Sequence, residues 1–258
     1  MKISVITVSY NCSDSIGQTI SSVREQQCGD IEHIIIDGAS TDGTVDVIRA
    51  KVRQREGLQV VVVSEKDGGV YDAMNKGLSL ATGAVVGFLN ADDMFADHNV
   101  LSEVERAFRD EEIEACYGDL VYVAKDDPDK IVRYWRSKSH EKGLFAKAWV
   151  PPHPTFYARR RVYEKFGMFD LTYKLAADYE FMARVMEQHG IRTRYIPKVL
   201  VKMRCGGVTN NSIGNVIRQN REIVRACRVN GVRMSMPTFF AGKIMNRIRQ
   251  YRESPIIT

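Results

Sequence analysis

The chain has 258 residues, of which 44% are hydrophobic and 27% are charged. This composition predicts a packed core in one large domain or two small ones and argues against a disordered chain. The five cysteines are odd in number and lack CxxC spacing, which argues against a zinc site and favours a reducing compartment. The N-terminus lacks the pattern of a signal peptide, and no apolar run is long enough to span a membrane, so we expect a cytoplasmic protein.

The formal net charge of +5 is unevenly distributed. Residues 201–258 carry 11 Lys and Arg against 2 Asp and Glu, a net charge of +9, whereas residues 1–200 carry −4. A zinc finger, an RNP motif and a helix-turn-helix pattern are all missing from the sequence, so we expect no nucleic-acid partner. An anionic membrane surface fits this basic segment better.

Strand-like and helix-like segments alternate through the first ninety residues. The strand-like runs are Ile3–Val8, Ile31–Ile36, Leu58–Val63 and Ala84–Leu89. Helical patterns follow at about Asp14–Gln27, after Thr44, and at Tyr71–Leu80. This order predicts right-handed crossovers and a parallel sheet flanked by helices. Neither GxGxxG after the first strand nor a P-loop pattern occurs, which argues against a dinucleotide-binding oxidoreductase and a P-loop enzyme.

The second half is less regular. We predict strands between Cys116 and Trp135, followed by an irregular connection over 137–154. A strand at Thr155–Ala158 and helices at Arg160–Phe166 and Tyr179–His189 come next. The predicted elements end with two strands, at Arg192–Ile196 and Val199–Arg204, and a long basic helix at Ile213–Asn230. This half is interpreted as an elaboration of the first.

Four polar clusters fall at or near the ends of the predicted strands: Thr7–Asn11, Asp37–Asp42, Glu65–Asp72 and Asn90–Asp93. The carboxyl ends of parallel strands meet at one edge of the sheet, where ligands collect. Carboxylates gathered there repel one another unless they bind a cation or accept hydrogen bonds from a polar ligand. A nucleotide with a diphosphate bound to Mg²⁺ or Mn²⁺ meets both needs. Taken alone, Ala91-Asp92-Asp93 is more typical of a solvated turn whose second Asp caps the following helix, and the other three clusters reverse this preference.

Four motifs in order resemble a family 2 glycosyltransferase of the GT-A fold. They are Val5-Ile6-Thr7-Val8-Ser9-Tyr10-Asn11, Ile36-Asp37-Gly38-Ala39-Ser40-Thr41-Asp42-Gly43-Thr44, Ser64-Glu65-Lys66-Asp67-Gly68-Gly69-Val70-Tyr71-Asp72-Ala73-Met74-Asn75-Lys76-Gly77 and Phe88-Leu89-Asn90-Ala91-Asp92-Asp93. Ala176-Ala177-Asp178-Tyr179-Glu180 and Gly206-Gly207-Val208-Thr209 extend the likeness downstream. These segments are similar to bacterial exopolysaccharide-assembly enzymes such as the colanic acid transferases.

The resemblance implies an α/β chain of the GT-A fold with a mostly parallel central sheet flanked by helices. Residues 1–210 would form the transferase domain, with a Rossmann-like nucleotide-sugar-binding half over 1–95 and an acceptor-binding half over 96–210. Residues 211–258 would be a basic helical extension. The implied activity is a metal-dependent, inverting transfer from a nucleotide sugar, usually a UDP-sugar, to a lipid-linked oligosaccharide of a bacterial surface polysaccharide.

The resemblance also implies site residues. The donor-binding set would be Thr7, Ser9, Tyr10, Asp37, Ser40, Asp42, Glu65, Asp72, Asn75, Asn90 and Asp92. Asp37 would bind the base, and Asp93 would hold Mg²⁺ or Mn²⁺, with Asp92 on the ribose or the second metal position. Asn90 stands where the family often has an Asp, which leaves open which aspartate is the direct ligand.

Asp178 would be the general base that takes the proton of the attacking hydroxyl. It opens a helix, where the dipole favours a carboxylate. The residues alone favour a helix cap, and the resemblance shifts the preference to the general base. His153, Gly206 and Gly207 are weaker candidates for a loop over the diphosphate or acceptor. His153 could also be a merely exposed loop residue, and the glycines could simply end a strand.

The segment from Pro237 onward alternates apolar and basic residues in a helical pattern. This is typical of a helix that lies at a membrane interface, and equally of a helix packed on the domain or on another subunit. Two other functions remain open from the sequence. A sugar nucleotidyltransferase would need a glycine-rich basic loop after the first strand, and a catalytically silent sugar-nucleotide or glycan-binding module would keep the pocket without the base.

Overall fold

The computed structural model describes residues 1–53, 58–206 and 213–253. Within these ranges, nine strands form one curled mixed sheet flanked by helices. The strands are β1 (Ile3–Ser9), β2 (Ile31–Asp37), β3 (Gln59–Ser64), β4 (Val85–Phe88), β5 (Met94–Phe95), β6 (Ala115–Val123), β7 (Ile131–Trp135), β8 (Tyr157–Arg159) and β9 (Thr193–Arg204). The helices are α1 (Ile16–Arg24), α2 (Thr44–Val52), α3 (Val70–Leu80), α4 (Val100–Ala107), α5 (Arg160–Phe166), α6 (Ala177–Met182), α7 (Ile213–Val229) and α8 (Met236–Arg252).

The first half of the sheet is parallel, as predicted. Its strands lie in the order β3-β2-β1-β4, and every neighbouring pair is parallel. Ile34 and Ile36 of β2 pack in the same cluster as α3, while Ile35 packs with α1 and α2. Both faces of β2 are therefore covered, which explains an apolar run with no polar alternation.

The second half adds antiparallel strands to this sheet. β8 is antiparallel to both β4 and β6, and β6 and β9 are parallel. β5 pairs with β9 and β7 pairs with β6, both antiparallel. The prediction of two strands at 192–204 was wrong, because Thr193–Arg204 forms the single strand β9. Pro197 breaks the sequence pattern, but register shifts around Asp119 of β6 let the pairing continue past it.

Two further elements refine the predicted pattern. The helix expected at 179–189 begins at Ala177, and its second part, Ala183–Gln188, is a π-helix. The connection over 137–154 is irregular, as predicted, with short 3₁₀ turns at Phe145–Lys147 and His153–Thr155. These turns bring His153 to the end of β4, where it contacts Phe88.

The C-terminal extension forms two helices that pack on the domain. α7 covers the predicted basic helix, and α8 lies across the Phe145–Lys147 turn and β7. A Cβ on Gly242 of α8 would lie 2.2 Å from the carbonyl oxygen of Lys147, so a glycine is needed for this close approach. None of the described helices combines the length and apolar composition of a membrane-spanning helix.

Gly87 of β4 offers a test of the strand that leads to Asn90–Asp93. It pairs with Tyr157 of β8, and a Cβ at this position would lie 2.2 Å from the buried Tyr157 ring. Gly87→Ala should therefore lower the free energy of unfolding by about 1–3 kcal/mol, through overpacking. Urea unfolding measures this change. Gly29→Ala, where a Cβ meets nothing within 4 Å, is the matched control, and an equal effect of both substitutions would contradict the packing argument.

Candidate active site

The carboxylate of Asp37, the last residue of β2, joins three neighbouring strand ends. It accepts hydrogen bonds from the hydroxyls of Ser9 (3.2 Å) at the end of β1 and Ser64 (2.7 Å) at the end of β3. Ser40 donates to it through both its backbone N–H (3.0 Å) and its hydroxyl (2.5 Å). Burial alone would raise the pKa of Asp37, but the serine hydrogen bonds outweigh it and lower the pKa. The predicted residues Ser9, Asp37 and Ser40 thus lie together around an ionised carboxylate.

The loops that follow β1 and β2 hold left-handed backbone at non-glycine residues. Asn11 has φ +50° and Ala39 has φ +60°, conformations that are uncommon for such residues and cluster at functional sites. Asn11 supports both loops, because its N–H donates to the Ser40 hydroxyl (2.8 Å) and its side-chain oxygen accepts from Thr41 N–H (2.9 Å). Tyr10 lies next to this contact, with an exposed fraction of 65%.

Two predicted donor residues are engaged within the protein. Thr7 is buried, and its hydroxyl lies 2.9 Å from Nε2 of His33. Asp42 accepts from the hydroxyl and N–H of Thr44 and from the N–H of Ser13, and these hydrogen bonds lower its pKa. In this structure the Thr7 side chain links β1 to His33 of β2. The Asp42 carboxylate links the start of α2 to the loop after β1.

The third polar cluster lies beside the second. The ammonium of Lys76 is 2.7 Å from a carboxylate oxygen of Glu65 and 3.9 Å from one of Asp72. A Cβ on Gly38 would lie only 2.7 Å from Oδ2 of Asp67. The loop that carries Glu65 to Asp72 therefore adjoins the loop after β2.

Helix α3 connects this cluster to the predicted base. The hydroxyl of Tyr71 donates to Oδ1 of Asp178 (2.8 Å). Burial, and then the charge of Asp178, raise the pKa of Tyr71, so it remains a protonated donor. One turn later, the Asn75 amide donates to the carbonyl of Phe169 (2.9 Å) and accepts from its N–H (3.1 Å). Asn75, predicted to contact the donor, here holds the chain segment 167–178, which we call the base loop.

Asp178 lies in the first turn of α6, at the end of the base loop, and is partly buried. The ring of His153 stacks on Phe88, with centroids 5.4 Å apart. Burial lowers the pKa of His153, whereas the nearby charge of Asp178 acts in the opposite direction. Because Phe88 ends β4 just before Asn90, these contacts bring Asp178 and His153 to the strand end that bears the aspartate pair.

Glu222 of α7 holds the base loop from the other side. One oxygen of its carboxylate, Oε2, accepts hydrogen bonds from three consecutive backbone N–H groups, those of Lys174 (3.0 Å), Leu175 (2.8 Å) and Ala176 (3.1 Å). Hydrogen bonds to a charged acceptor are the stronger kind, each stabilising by about 1.5–3 kcal/mol. The extension therefore helps to fix the loop that ends at Asp178.

The aspartate pair after β4 differs in exposure. Asp93 is fully buried, while Asp92 is partly exposed. The Asn90 amide donates to Oδ2 of Asp93 (3.2 Å), but Oδ1 of Asp93 and Oδ1 of Asn90 are buried without a hydrogen-bond partner. Burial, and next the charge of Asp92, raise the pKa of Asp93 well above its ordinary value. Burial likewise raises the pKa of Asp92.

The positive charge that acts on this pair is that of Arg204, a residue not predicted from the sequence. β5 is antiparallel to β9 with Met94 opposite Lys202, a register that carries Arg204 to the level of Asp92. Its positive charge opposes the increase in pKa of both Asp92 and Asp93. The guanidinium also donates to the carbonyl of Lys125 and the side chain of Gln18.

The predicted glycines after β9 are only partly located. Gly206 follows Arg204 closely and has φ +115°, a conformation that favours glycine. Gly207 lies outside the described residues. Gly206 therefore marks the point where the chain leaves β9 beside the aspartate pair.

The residues at this strand end fit a divalent cation. Within 1–53, 58–206 and 213–253, no group of three or more His, Cys, Asp or Glu is arranged to hold a metal. Mg²⁺, however, commonly takes one or two carboxylates and completes its shell with phosphate oxygens and water. Asp92, Asp93 and the unpartnered oxygen of Asn90 supply oxygen ligands of this kind. The pKa values of both carboxyls are raised. A bound cation would lower these pKa values and favour the ionised carboxylates.

The fold and this strand-end site define a GT-A-type glycosyltransferase. The model of the family described as "Glycosyl transferase family 2" matches residues 4–176, more than half of the chain, and the chain belongs to this family. A relative from Mycobacterium bovis named "PGL/p-HBAD biosynthesis glycosyltransferase" is 29% identical over 211 residues, 81% of this chain and 79% of its own length. An uncharacterised glycosyltransferase of Mycobacterium tuberculosis is 35% identical over 188 residues, 70% of this chain and 68% of its own.

Solved structures share the fold at low identity. The mannosyltransferase PcManGT from Pyrobaculum calidifontis, solved with GDP-Man and Mn²⁺, has a TM-score of 0.67 at 19% identity and covers 95% of this chain and 69% of its own. Residues 1–349 of Staphylococcus aureus TarS, solved with UDP, have a TM-score of 0.65 at 19% identity and cover 92% and 67%. The GT-A fold expected from the sequence is confirmed. The specific likeness to colanic acid transferases has no counterpart among these matches.

The buried carboxyl of Asp93 has a consequence for stability. Because its pKa is higher in the folded chain than in the unfolded one, ionisation opposes folding, and the penalty grows as the pH rises above about 4. In metal-free buffer, Asp93→Asn should therefore raise the free energy of unfolding at neutral pH, and this gain should disappear below about pH 4. Denaturant unfolding across this pH range measures the difference. Asp46→Asn, at an exposed position of α2, should show no such pH-dependent gain, and a destabilised Asp93→Asn at neutral pH would contradict the argument.

Proposed function

We propose that this protein transfers a sugar from a nucleoside-diphosphate donor to a hydroxyl of a lipid-linked oligosaccharide, with inversion at the anomeric carbon. The observation that supports this best is the Tyr71–Asp178 hydrogen bond of 2.8 Å. The bond ties Asp178, in the first turn of α6, to Tyr71 at the start of α3. His153 lies near the charge of Asp178 and stacks on Phe88 at the end of β4, the strand that leads to the aspartate pair. An acceptor-side base and a diphosphate-side acidic pair are what an inverting transfer requires.

In the proposed reaction, Asp178 takes the proton of the acceptor hydroxyl as its oxygen attacks the anomeric carbon. The new glycosidic C–O bond forms on the face opposite the diphosphate while the bond to the diphosphate oxygen breaks. Tyr71 occupies one carboxylate oxygen of Asp178 and leaves the other for the proton. A divalent cation held by Asp92 and Asp93 would supply Lewis-acid stabilisation of the leaving diphosphate.

For the donor, we propose a uridine nucleotide bound over the loops after β1 and β2. The exposed Tyr10 ring offers a surface for the base, and Ser9, Asp37 and Ser40 form the polar floor beside it. Because the oxygens of Asp37 already accept three serine hydroxyls, a base N–H would share or replace one of these bonds. TarS structures with UDP and UDP-GlcNAc support this donor class, while PcManGT was solved with GDP-Man.

For the acceptor, we propose a lipid-linked glycan of a bacterial surface polysaccharide, of the colanic-acid type or a related one. Support comes from relatives named for PGL/p-HBAD biosynthesis and from the basic extension. We further propose that the enzyme works on the cytoplasmic side of the membrane, with the extension in contact with its inner face.

Substitution of the base tests the reaction. Asp178→Asn should lower transfer by about 10²–10⁴-fold, because a positioned base contributes that much, while donor binding persists. Tyr71→Phe should cause a smaller decrease and keep donor binding, since it removes only the hydrogen bond that orients the carboxylate. Transfer assays with isothermal titration of the donor separate the two effects.

The matched control for this test is Glu164→Gln, an exposed side chain of α5 that also loses one negative charge. It should leave transfer unchanged. Full transfer activity in Asp178→Asn would contradict the role of Asp178 as the base. A wild-type chain that binds donors but transfers the sugar to no acceptor would be a catalytically silent binding module.

Substitution of the partly exposed aspartate tests the metal and the donor together. In wild type, Mn²⁺ with the cognate nucleotide sugar should raise the melting temperature, because a ligand that binds only the folded state stabilises it. Asp92→Ala should remove most of the Mn²⁺-dependent part of this increase. A panel of UDP- and GDP-sugars, screened by thermal shift with Mn²⁺ or with a chelator, identifies the donor. An Asp92→Ala protein with an unchanged Mn²⁺-dependent shift would contradict the proposed cation site.

A further inference from the structure

Helix α8 carries an unusual number of exposed apolar side chains. Its exposed row consists of Met236, Phe240, Ile244, Ile248 and Tyr251. These residues recur every three or four positions, so they lie along one face of the helix. The domain covers a different face, where Phe239 is buried and Gly242 meets Lys147. Tyr251 also lies near the domain, with its ring centre 6.0 Å from the Arg133 guanidinium of β7. The other four side chains of the row are apolar and exposed to solvent.

The row continues into a groove between α7 and α8. This groove has a volume of about 460 Å³. Its apolar lining comes from Ile217 and Val224 of α7 and from Met236 and Phe240 of α8. The two helices therefore form one surface, which we call the α7–α8 surface, with an apolar strip that runs from the groove along α8.

The polar part of the same groove is basic. Arg221, Arg225 and Arg228, spaced three or four residues apart on α7, line it. Among the described residues that line the groove there is no Asp or Glu. Arg247 and Arg249 lie exposed on α8. An occupant that complements this surface combines negative charge with an apolar body.

The groove lies directly behind the base loop. Arg225 donates to the hydroxyl of Thr172 (2.9 Å), and its guanidinium lies 4.5 Å from the centre of the Tyr173 ring. The neighbouring Glu222 binds the N–H groups of residues 174–176. The α7–α8 surface is thereby fixed to the segment that ends at Asp178, on the acceptor side of the proposed reaction.

We propose that the α7–α8 surface docks on an anionic phospholipid bilayer. The phosphate headgroup of a lipid lies against Arg221 and Arg228, and the apolar row of α8 enters the boundary between headgroups and acyl chains. A second copy of the chain fits this surface poorly, because a symmetric contact would bring two basic faces together. The inference deepens the proposed function and rests on it, since a lipid-linked acceptor is the reason for such an enzyme to meet a bilayer.

The electrostatic part is tested by vesicle flotation of the full chain. Wild type should bind vesicles of phosphatidylcholine mixed with phosphatidylglycerol, and binding should weaken as salt is added. The double variant Arg221→Gln and Arg228→Gln should bind these vesicles about thirtyfold more weakly, because each basic residue near an anionic surface strengthens binding about five- to sixfold. The matched control removes two exposed arginines elsewhere, Arg53→Gln and Arg109→Gln. Equal binding by the two double variants would overturn the proposal.

The apolar part is tested by Ile244→Ser combined with Ile248→Ser. Both side chains are exposed, so the melting temperature should not change, while binding to the mixed vesicles should fall about tenfold or more. Leu80→Ser, an exposed apolar position on α3, is the control. Binding to phosphatidylcholine alone that equals binding to the mixed vesicles would overturn the proposal. So would a wild-type dimer, seen by sedimentation, that the Ile244 and Ile248 substitutions dissociate.

Donor binding separates this inference from the proposed function. Thermal shift with Mn²⁺ and the nucleotide sugar should be the same for wild type and for both groups of surface variants. A chain that binds donors but no vesicles refutes only the docking proposal. A chain that binds anionic vesicles through these residues but binds no nucleotide sugar refutes only the proposed function.

Discussion

The structure depends on a constraint of the parallel sheet: the ends of β1, β2, β3 and β4 all meet at one edge, and so do their polar groups. Asp37 shows how this edge is made stable. Its buried carboxylate would be costly alone, yet hydroxyls from the neighbouring strand ends satisfy it and keep its pKa low. The same edge leaves other oxygens unsatisfied, at Asn90 and Asp93. Within the described residues, this edge thus carries one carboxylate whose hydrogen bonds are satisfied, Asp37, and buried oxygens of Asn90 and Asp93 that have no partner. A cation bound at these unpartnered oxygens would stabilise them most.

The base loop is the second organising feature, because it is held from two directions. α3 anchors it through Tyr71 and Asn75, and α7 anchors it through Glu222. Helix α3, which follows the Glu65–Asp72 cluster, therefore also orients Asp178. For the proposed base, such double support would keep the carboxylate within the narrow range of positions that catalysis tolerates. It also explains why the Asn75 side chain, which a motif places among donor contacts, is occupied by backbone groups of Phe169.

Much of the fold and part of the site could be predicted from the sequence, for reasons that differ by residue. Runs such as Ile31–Ile36 identify buried strands, and topology then requires Ser9, Asp37 and Ser64 to meet. Burial could not be predicted for Asp93, because the sequence does not say which of two adjacent carboxylates turns inward. Tyr71 and Arg204 were missed because their partners lie about a hundred residues away along the chain. Glu222 left a signal that was overlooked, since it is one of only two acidic residues after position 200.

The contact of one Glu222 oxygen with three successive amides has a practical meaning for protein engineering. The family model ends at residue 176, but the carboxylate that satisfies the amides at 174–176 comes from a helix that starts almost forty residues later. A chimera that exchanges C-terminal segments between relatives would need to bring its own carboxylate to this position. A recombination boundary that keeps Glu222 with the base loop therefore lies after α7, because this helix supplies the carboxylate.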